Sequence, residues 1–236
     1  MTRPAALAGR GPVRAVLFDA VGTLLVPRPP VAEVYHAHAR RFGSSLGREE
    51  IARRFAAAFA RQEAIDRAAG DRTSEPRERE RWRAIVAETI HDANDADGLF
   101  DALWNHFALA SHWRLFDDAP AAIARARDSA GVVGMASNFD ARLHGIVANM
   151  AGLAPIARVF VSSELGWRKP AAEFFRAIEA ALGLRPEEIL LVGDDVENDH
   201  RAAAAAGWRA VLVDRSGKEA DASWPAAYRV ASLLDL

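Results

Sequence analysis

The chain of 236 residues contains no cysteine. Disulfides, thiolate metal sites and cysteine nucleophiles are thereby excluded. Lysine is nearly as scarce: it occurs only at Lys169 and Lys218, and every other member of the 30 Lys and Arg side chains is arginine. Arginine and the abundant alanine read as coding bias at most positions, which makes each surviving lysine a candidate for a function. An excess of one charge is missing too. The 30 cationic residues face 32 Asp and Glu, a formal net charge of −2, and no long run of Lys or Arg gives the electrostatic footprint of a nucleic-acid binder. No apolar stretch approaches the roughly 18 residues a membrane span needs. The first residues, with Arg3, Arg10 and Arg14 around a short Ala/Leu patch, hold no apolar segment of signal-peptide length. The expectation is a soluble, cytoplasmic protein, monomer or homodimer, with no nucleic-acid or membrane partner.

What is present is a globular composition, half of it apolar. Val13–Phe18 is a β-branched and aromatic run that ends in Asp19, with Gly22 soon after: a buried strand running into a turn. From about Val31 to His112 the pattern is helical and rich in Arg, Ala and Glu, with Trp82, Ile85, Ile90, Leu99, Leu103 and Phe107 at helix-like spacings. Nothing in that stretch resembles a strand. Beyond it, strand-like and helix-like segments alternate. Helices are predicted at Ala119–Ala130, Ala141–Met150, Ala171–Leu182 and Glu197–Ala206, and strands at Val132–Ser137, Val159–Val161, Ile189–Gly193 and Ala210–Val213. Such alternation implies βαβ units. The fold class is α/β: a doubly wound parallel sheet (Rossmann-like) core formed by residues 1–26 and 114–236, with an inserted all-helical cap over residues 27–113.

In such sheets ligands sit beyond the carboxyl ends of the strands, so the residues after each strand carry the argument. Asp19-Ala-Val-Gly-Thr23 offers a carboxylate nucleophile or metal ligand beside free backbone N–H groups; Asp19 as a mere turn cap is the plain alternative. Gly193-Asp-Asp195 with Asn198 and Asp199 places clustered acids at a strand tip. Like charges so close disfavour folding unless a cation lies between them, and Mg²⁺ takes one or two carboxylates. The plain alternative there is an acidic turn whose Asp caps a helix, and Glu197 reads as a first-turn helix acid. Ser137-Asn138 presents a hydroxyl and free amides that suit a phosphoryl oxygen, or an ordinary turn. Lys169-Pro170 precedes a helix and supplies a compact cation. His36, His38, His91, His106 and His112 form no spacing of a metal site, and Trp82, Trp104 and Trp113 read as packing residues. Trp167, just before Arg168-Lys169, is expected near the site entrance.

Taken together, these elements resemble the haloacid dehalogenase superfamily over nearly the whole chain. Phe18-Asp-Ala-Val-Gly-Thr-Leu24 is similar to its first motif and Ala136-Ser-Asn138 to its second. Arg168-Lys-Pro170 with Phe174 and Phe175 is similar to the third, and Val192-Gly-Asp-Asp195 with Asn198-Asp199 and Ala206-Gly207 to the fourth. The helical insert resembles the C1 cap of the family's small-molecule hydrolases. The resemblance implies a phosphatase in which Asp19 is the nucleophile and forms an aspartyl-phosphate. It implies Mg²⁺ held by Asp19, the backbone carbonyl of Val21 and Asp194, with Asp195 or Asp199 contributing directly or through water. Ser137 and Lys169 are the implied catalytic partners, with Thr23, Asn138 and Gly22 around the phosphate of a small phosphorylated substrate.

One position departs from that pattern. The phosphatases of the family carry a second aspartate two residues after the nucleophile, as general acid and base; here that residue is Val21. General acid catalysis contributes typically 10²–10⁴-fold. Family branches that lack this acid include haloacid dehalogenases, which do not keep the Gly-Asp-Asp pair, and phosphonatases, which need a cap lysine. No lysine lies between Pro27 and Trp113, and arginine stays protonated, so Schiff-base chemistry is excluded. A phosphatase with an altered proton route is the leading expectation; a phosphate- or partner-binding protein without activity and a 2-haloacid dehalogenase are the alternatives.

Overall fold

A computed structural model describes residues 11–215, 217 and 228–236; Lys218 lies outside them. The core is a six-stranded parallel sheet in the order β5-β4-β1-β6-β7-β8. Its strands are β1 (Ala15–Phe18), β4 (Val132–Ser137), β5 (Arg158–Val161), β6 (Ile189–Gly193), β7 (Arg209–Val213) and β8 (Arg229–Val230). β1, β6 and β7 are buried at every residue, as befits central parallel strands covered on both faces. Alternation within β1 assigns the two faces. Val16 and Phe18 pack with Ile123, Leu143 and Ile146 of helices α5 (Ala119–Ser129) and α6 (Arg142–Ala148). Ala15 and Leu17 pack with Phe174, Phe175 and Ala203 of helices α8 (Ala172–Leu182) and α9 (Ala202–Ala205).

The segment between β1 and β4 carries four helices, α1 (Val31–Arg41), α2 (Arg48–Ala68), α3 (Glu75–Thr89) and α4 (Ala96–His106), around their own cluster of Val34, Ile51, Val86, Leu99 and Leu103. Ser74 and Asp95 cap α3 and α4 by accepting from the N–H groups of Arg77 and Gly98. The chain enters and leaves this insert through a small antiparallel pair, β2 (Leu25–Pro27) and β3 (Trp113–Leu115). Arg28 N–H donates to the His112 carbonyl at 2.8 Å and holds the two connections together. No described helix is long and apolar enough to cross a membrane.

The structure differs from the sequence expectation in its small elements. β2 and β3 have three residues each, too few to show a period of two. A one-turn helix, α7 (Ser162–Leu165), follows β5 directly. The helix expected at Glu197–Ala206 begins instead as a wide turn over Val196–Arg201, where Asp199 and His200 both donate to the Asp195 carbonyl at 3.0 and 3.2 Å; α9 continues it.

Candidate active site

β1 lies between β4 and β6, and the chain leaves β1 toward β4 and β5 before returning to β6 on the other side. That reversal opens a crevice at the carboxyl ends of the three strands. Asp19 follows β1, Ser137 ends β4, and Asp194 follows β6, so all three arrive there from neighbouring strands.

Lys169 sits among them from the segment before α8, almost fully buried. Its Nζ donates to Asp19 Oδ1 at 2.7 Å, to Asp199 Oδ1 at 2.5 Å and to the Ala136 carbonyl at 2.9 Å. Burial works against this charge, but the Asp19 and Asp199 carboxylates outweigh it and raise the lysine above its ordinary range. The ammonium is therefore a fixed cation. The lysine is aimed by Asn138, whose Oδ1 accepts from the Lys169 N–H at 2.8 Å and whose Nδ2 donates to the Lys169 carbonyl at 2.9 Å. Asn138, expected beside the phosphate, is thus committed to holding the lysine backbone.

Asp19, Asp194 and Asp199 each offer one oxygen within 4.8 Å of the others. Burial is the main reason all three carboxyls titrate above the usual range; Asp194 and Asp199 are pushed up to about 6, and each is raised further by a neighbouring carboxylate. The Ser137 hydroxyl and Lys169 both favour the ionised form of Asp19. Asp194 is held by the hydroxyl of Thr23, which is buried and donates to its Oδ1 at 2.8 Å. Thr23, expected at the phosphate, positions this acid instead. The second oxygen of Asp199 accepts from Asp195 N–H at 3.1 Å. The second oxygens of Asp19 and Asp194 are not used by these bonds, and hard carboxylate oxygens of this kind suit Mg²⁺.

Asp195 stands apart from the cluster. Its carboxylate accepts from the N–H groups of Glu197 and Asn198 at 2.9 and 2.8 Å and from Asn198 Nδ2 at 3.0 Å, so it is the helix cap. The sequence presents Asp195 and Asp199 as equivalent acids; the wide turn after Asp195 brings Asp199 inward. Two glycines make room for this. A Cβ on Gly22, which has φ +94°, would lie 2.1 Å from Asp194 Oδ2, and one on Gly193 would lie 2.2 Å from Asp199 Oδ2. Gly22 therefore acts by close approach. Val21, at the position of the missing acid, is 38% exposed and faces the cavity above the carboxylates.

That cavity, about 350 Å³, runs from Asp19, Lys169 and Asp194 up between the insert and the core. Trp82, Trp104 and Trp113, expected only to pack, also line it. None of the five insert histidines does; His38, His106 and His112 instead gather near the connections, the rings of His106 and His112 stacked at 3.7 Å. Trp167, expected near the site entrance, lies beneath the Arg72 guanidinium, 4.5 Å from the ring centre, and is not a cavity wall.

Sequence reasoning missed several residues. Arg142 is paired with Asp140 through two bonds of 2.7 Å and lies 3.5 Å from the Trp104 ring centre in the cavity wall. Their proximity to Ser137-Asn138 in sequence was the available signal. Arg168 bonds Glu78 of α3 and, with Arg81 and Asp66, forms a buried ionic cluster. Its partners are some 90 residues away in the chain, so no local pattern announces them.

Known proteins agree with this architecture. The haloacid dehalogenase-like hydrolase profile matches residues 13–207. Haloacid dehalogenase-like hydrolase domain-containing protein 3 of Danio rerio is 26% identical over 96% of both chains. Ribulose-1,5-bisphosphate 5-phosphatase of Halopiger xanaduensis is 30% identical over 89% of this chain and 87% of its own length, and phosphoserine phosphatase of Thermus thermophilus is 35% identical over 55% and 53%. In fold, L-2-haloacid dehalogenase from Xanthobacter autotrophicus superposes with a TM-score of 0.72 at 21% identity, covering 94% of this chain and 96% of that one. With the strand order, the insert after β1 and the four motif segments converging on one crevice, the chain belongs to the haloacid dehalogenase-like hydrolases.

Proposed function

We propose that the protein is a Mg²⁺-dependent phosphatase of small phosphorylated molecules working through an aspartyl-phosphate. The carrying observation is the trio of Asp19, Asp194 and Asp199 around one lysine, with Asp19 and Asp199 buried and Asp194 half-buried. Three carboxylates with a single cation leave an excess of buried negative charge, and such charges are rare without a compensating partner. Asp19 and Asp194 are the residues to hold the metal, with the Val21 carbonyl and Asp199 beside them; Mg²⁺ would neutralise phosphoryl oxygens and orient them.

Asp19 attacks phosphorus in line, forming the carboxylate O–P bond as the P–O bond to the leaving group breaks; water then releases phosphate from Asp19. Lys169 lowers the repulsion between the anionic nucleophile and an anionic substrate. Ser137, beside Asp19 at the end of β4, donates to a phosphoryl oxygen in this reading. Val21 can exchange no proton, so the leaving group must depart as a stabilised anion or take its proton from elsewhere. The two relatives named as phosphatases support the reaction class. The three-carboxylate cluster disfavours metal-free carbon–halogen hydrolysis, and the intact Asp19–Lys169 pair disfavours a binding protein without activity.

The test is phosphate release from p-nitrophenyl phosphate and acetyl phosphate with and without Mg²⁺. Turnover that requires Mg²⁺ and falls below about 1% in Asp19→Asn is expected. Retained Mg²⁺ binding with no ester turned over would leave the binding-protein reading, and metal-independent halide release from 2-chloropropionate the dehalogenase one.

A further inference from the structure

The insert lines the cavity over the nucleophile mainly with aromatic side chains, with Glu63 and Arg81 among them. Tyr35, Phe55, Phe59, Trp82, Trp104 and Phe107 of the insert face it, and aromatic walls favour a flat apolar ring through offset and edge contacts. Its volume of about 350 Å³ is near the lower end for small-molecule sites, which run to about 300–1,000 Å³. One ring and a phosphate suit that space.

Two further observations narrow the occupant. Val21 gives the leaving group no proton, a deficit that matters least for a phenolate, whose conjugate acid has a pKa near 10, and most for an alkoxide. The other is Arg81, a 1% exposed side chain that also lines the cavity. Its Nε donates to Asp66 at 2.8 Å and its guanidinium lies 4.6 Å from the Phe59 ring centre, but its Nη2 has no hydrogen-bond partner. A buried N–H without an acceptor is costly in a folded protein. Burial and the neighbouring Arg168 weigh against the Arg81 charge while Glu78 and Asp66 support it, and an anion beside it would supply the acceptor that Nη2 lacks.

We propose that the substrate is the phosphate monoester of a phenol bearing a carboxylate, with the ring held among the insert aromatics and the carboxylate paired with Arg81 Nη2. This rests on the phosphatase reading above. Hydrolysis breaks the P–O bond to the phenol, places phosphate on Asp19 and releases the hydroxybenzoate-type product as its phenolate, which takes a proton from solvent.

The experiment compares 3- and 4-carboxyphenyl phosphate, phenyl phosphate and glycerol 3-phosphate. In the unmodified protein kcat/KM is expected to be at least ten-fold higher for one carboxyphenyl ester than for phenyl phosphate, and higher again relative to the glycerol ester. In Arg81→Met the ratio between the two aryl substrates should collapse toward one. A ratio is insensitive to partial unfolding, because both substrates meet the same folded fraction. Equal rates on carboxyphenyl and phenyl esters, or a preference that survives in Arg81→Met, overturn the role of Arg81. Glycerol 3-phosphate hydrolysed as well as the aryl esters overturns the aromatic assignment. A binding arm separates this inference from the function beneath it: 3- and 4-hydroxybenzoate against phenol, titrated into Asp19→Asn and read by quenching of Trp82 and Trp104 fluorescence. Hydroxybenzoate binding without hydrolysis of any ester keeps the cavity assignment and sinks the phosphatase; hydrolysis without carboxylate preference does the reverse.

Discussion

Val21 and Gly193 each place a small apolar group where chemistry is concentrated, with opposite consequences. At position 21 the aliphatic side chain stands in the cavity and can exchange no proton. Val21→Asp should therefore raise hydrolysis of alkyl phosphates on the order of 10²-fold, and that of aryl phosphates much less; steady-state rates on glycerol 3-phosphate and phenyl phosphate measure it, and equal gains would place the proton donor elsewhere. At position 193 the lack of a side chain is itself the requirement. A methyl there would meet the Asp199 carboxylate at 2.2 Å, so Gly193→Ala should cost about 1–3 kcal/mol by overpacking and displace an acceptor of Lys169, lowering kcat. Gly183 is the control: it has φ +64° with nothing within 4 Å of an added Cβ. Gly183→Ala should cost about 1–2 kcal/mol through its left-handed backbone alone, with kcat unchanged. Urea unfolding and single-substrate kinetics on both variants separate strain from function.

At the scale of elements, the insert is fastened to the core beside Lys169. Thr73 N–H donates to the Gly166 carbonyl at 3.1 Å and Arg168 N–H to the Asp71 carbonyl at 2.8 Å, while Glu78 of α3 accepts from Arg168 and, at 2.8 Å, from Thr73 Oγ1. Glu78 is 1% exposed. Removing its charge leaves Arg168 underpaired in the interior, so Glu78→Gln should destabilise by about 3–5 kcal/mol; a change below 1 kcal/mol in urea unfolding would show that the cluster tolerates the loss. This cluster also marks where sequence reading stops. β1, β4 and β6 were legible because buried parallel strands read as apolar runs, and the residues after them inherit their place from topology. Asp195 and Asp199 were not separable, because which acid turns inward depends on a widened helical turn. Thr23 and Asn138 have the right chemistry for a phosphate, but partners distant in sequence, Asp194 and Lys169, claim them. Trp82 and Trp104 are both packing and lining residues because the insert leaves a cavity against the core, a property of how the helices meet the sheet and of no single helix.

For the molecule as a whole, two sets of groups shifted mainly by desolvation give stability opposite pH slopes. His106 and His200 are lowered to about 4, burial being the main cause, with His112 and Arg201 respectively adding repulsion. Their folded-state values lie below the unfolded value near 6.5, so the unfolded chain binds more protons and stability falls as pH drops from about 6.5 toward 4. Asp194 and Asp199, raised to about 6, act the other way: the folded state binds the extra protons, and stability rises as pH drops from about 6 toward 4. Without metal the two slopes oppose each other. With Mg²⁺ held by the carboxylates those groups stay ionised, and only the histidine slope remains. The Mg²⁺-induced rise in Tm should therefore be large at pH 8, shrink as pH falls through 6, and be nearly absent at pH 5. Thermal melts at the three pH values with and without Mg²⁺ read this directly. In Asp194→Asn the metal-free protein should melt higher than the parent at pH 8, since one desolvated charge is gone, and the Mg²⁺ response should disappear. A Mg²⁺ shift of equal size at pH 5 and pH 8, or one that persists in Asp194→Asn, would place the cation away from the three carboxylates and remove the basis for the proposed nucleophilic chemistry.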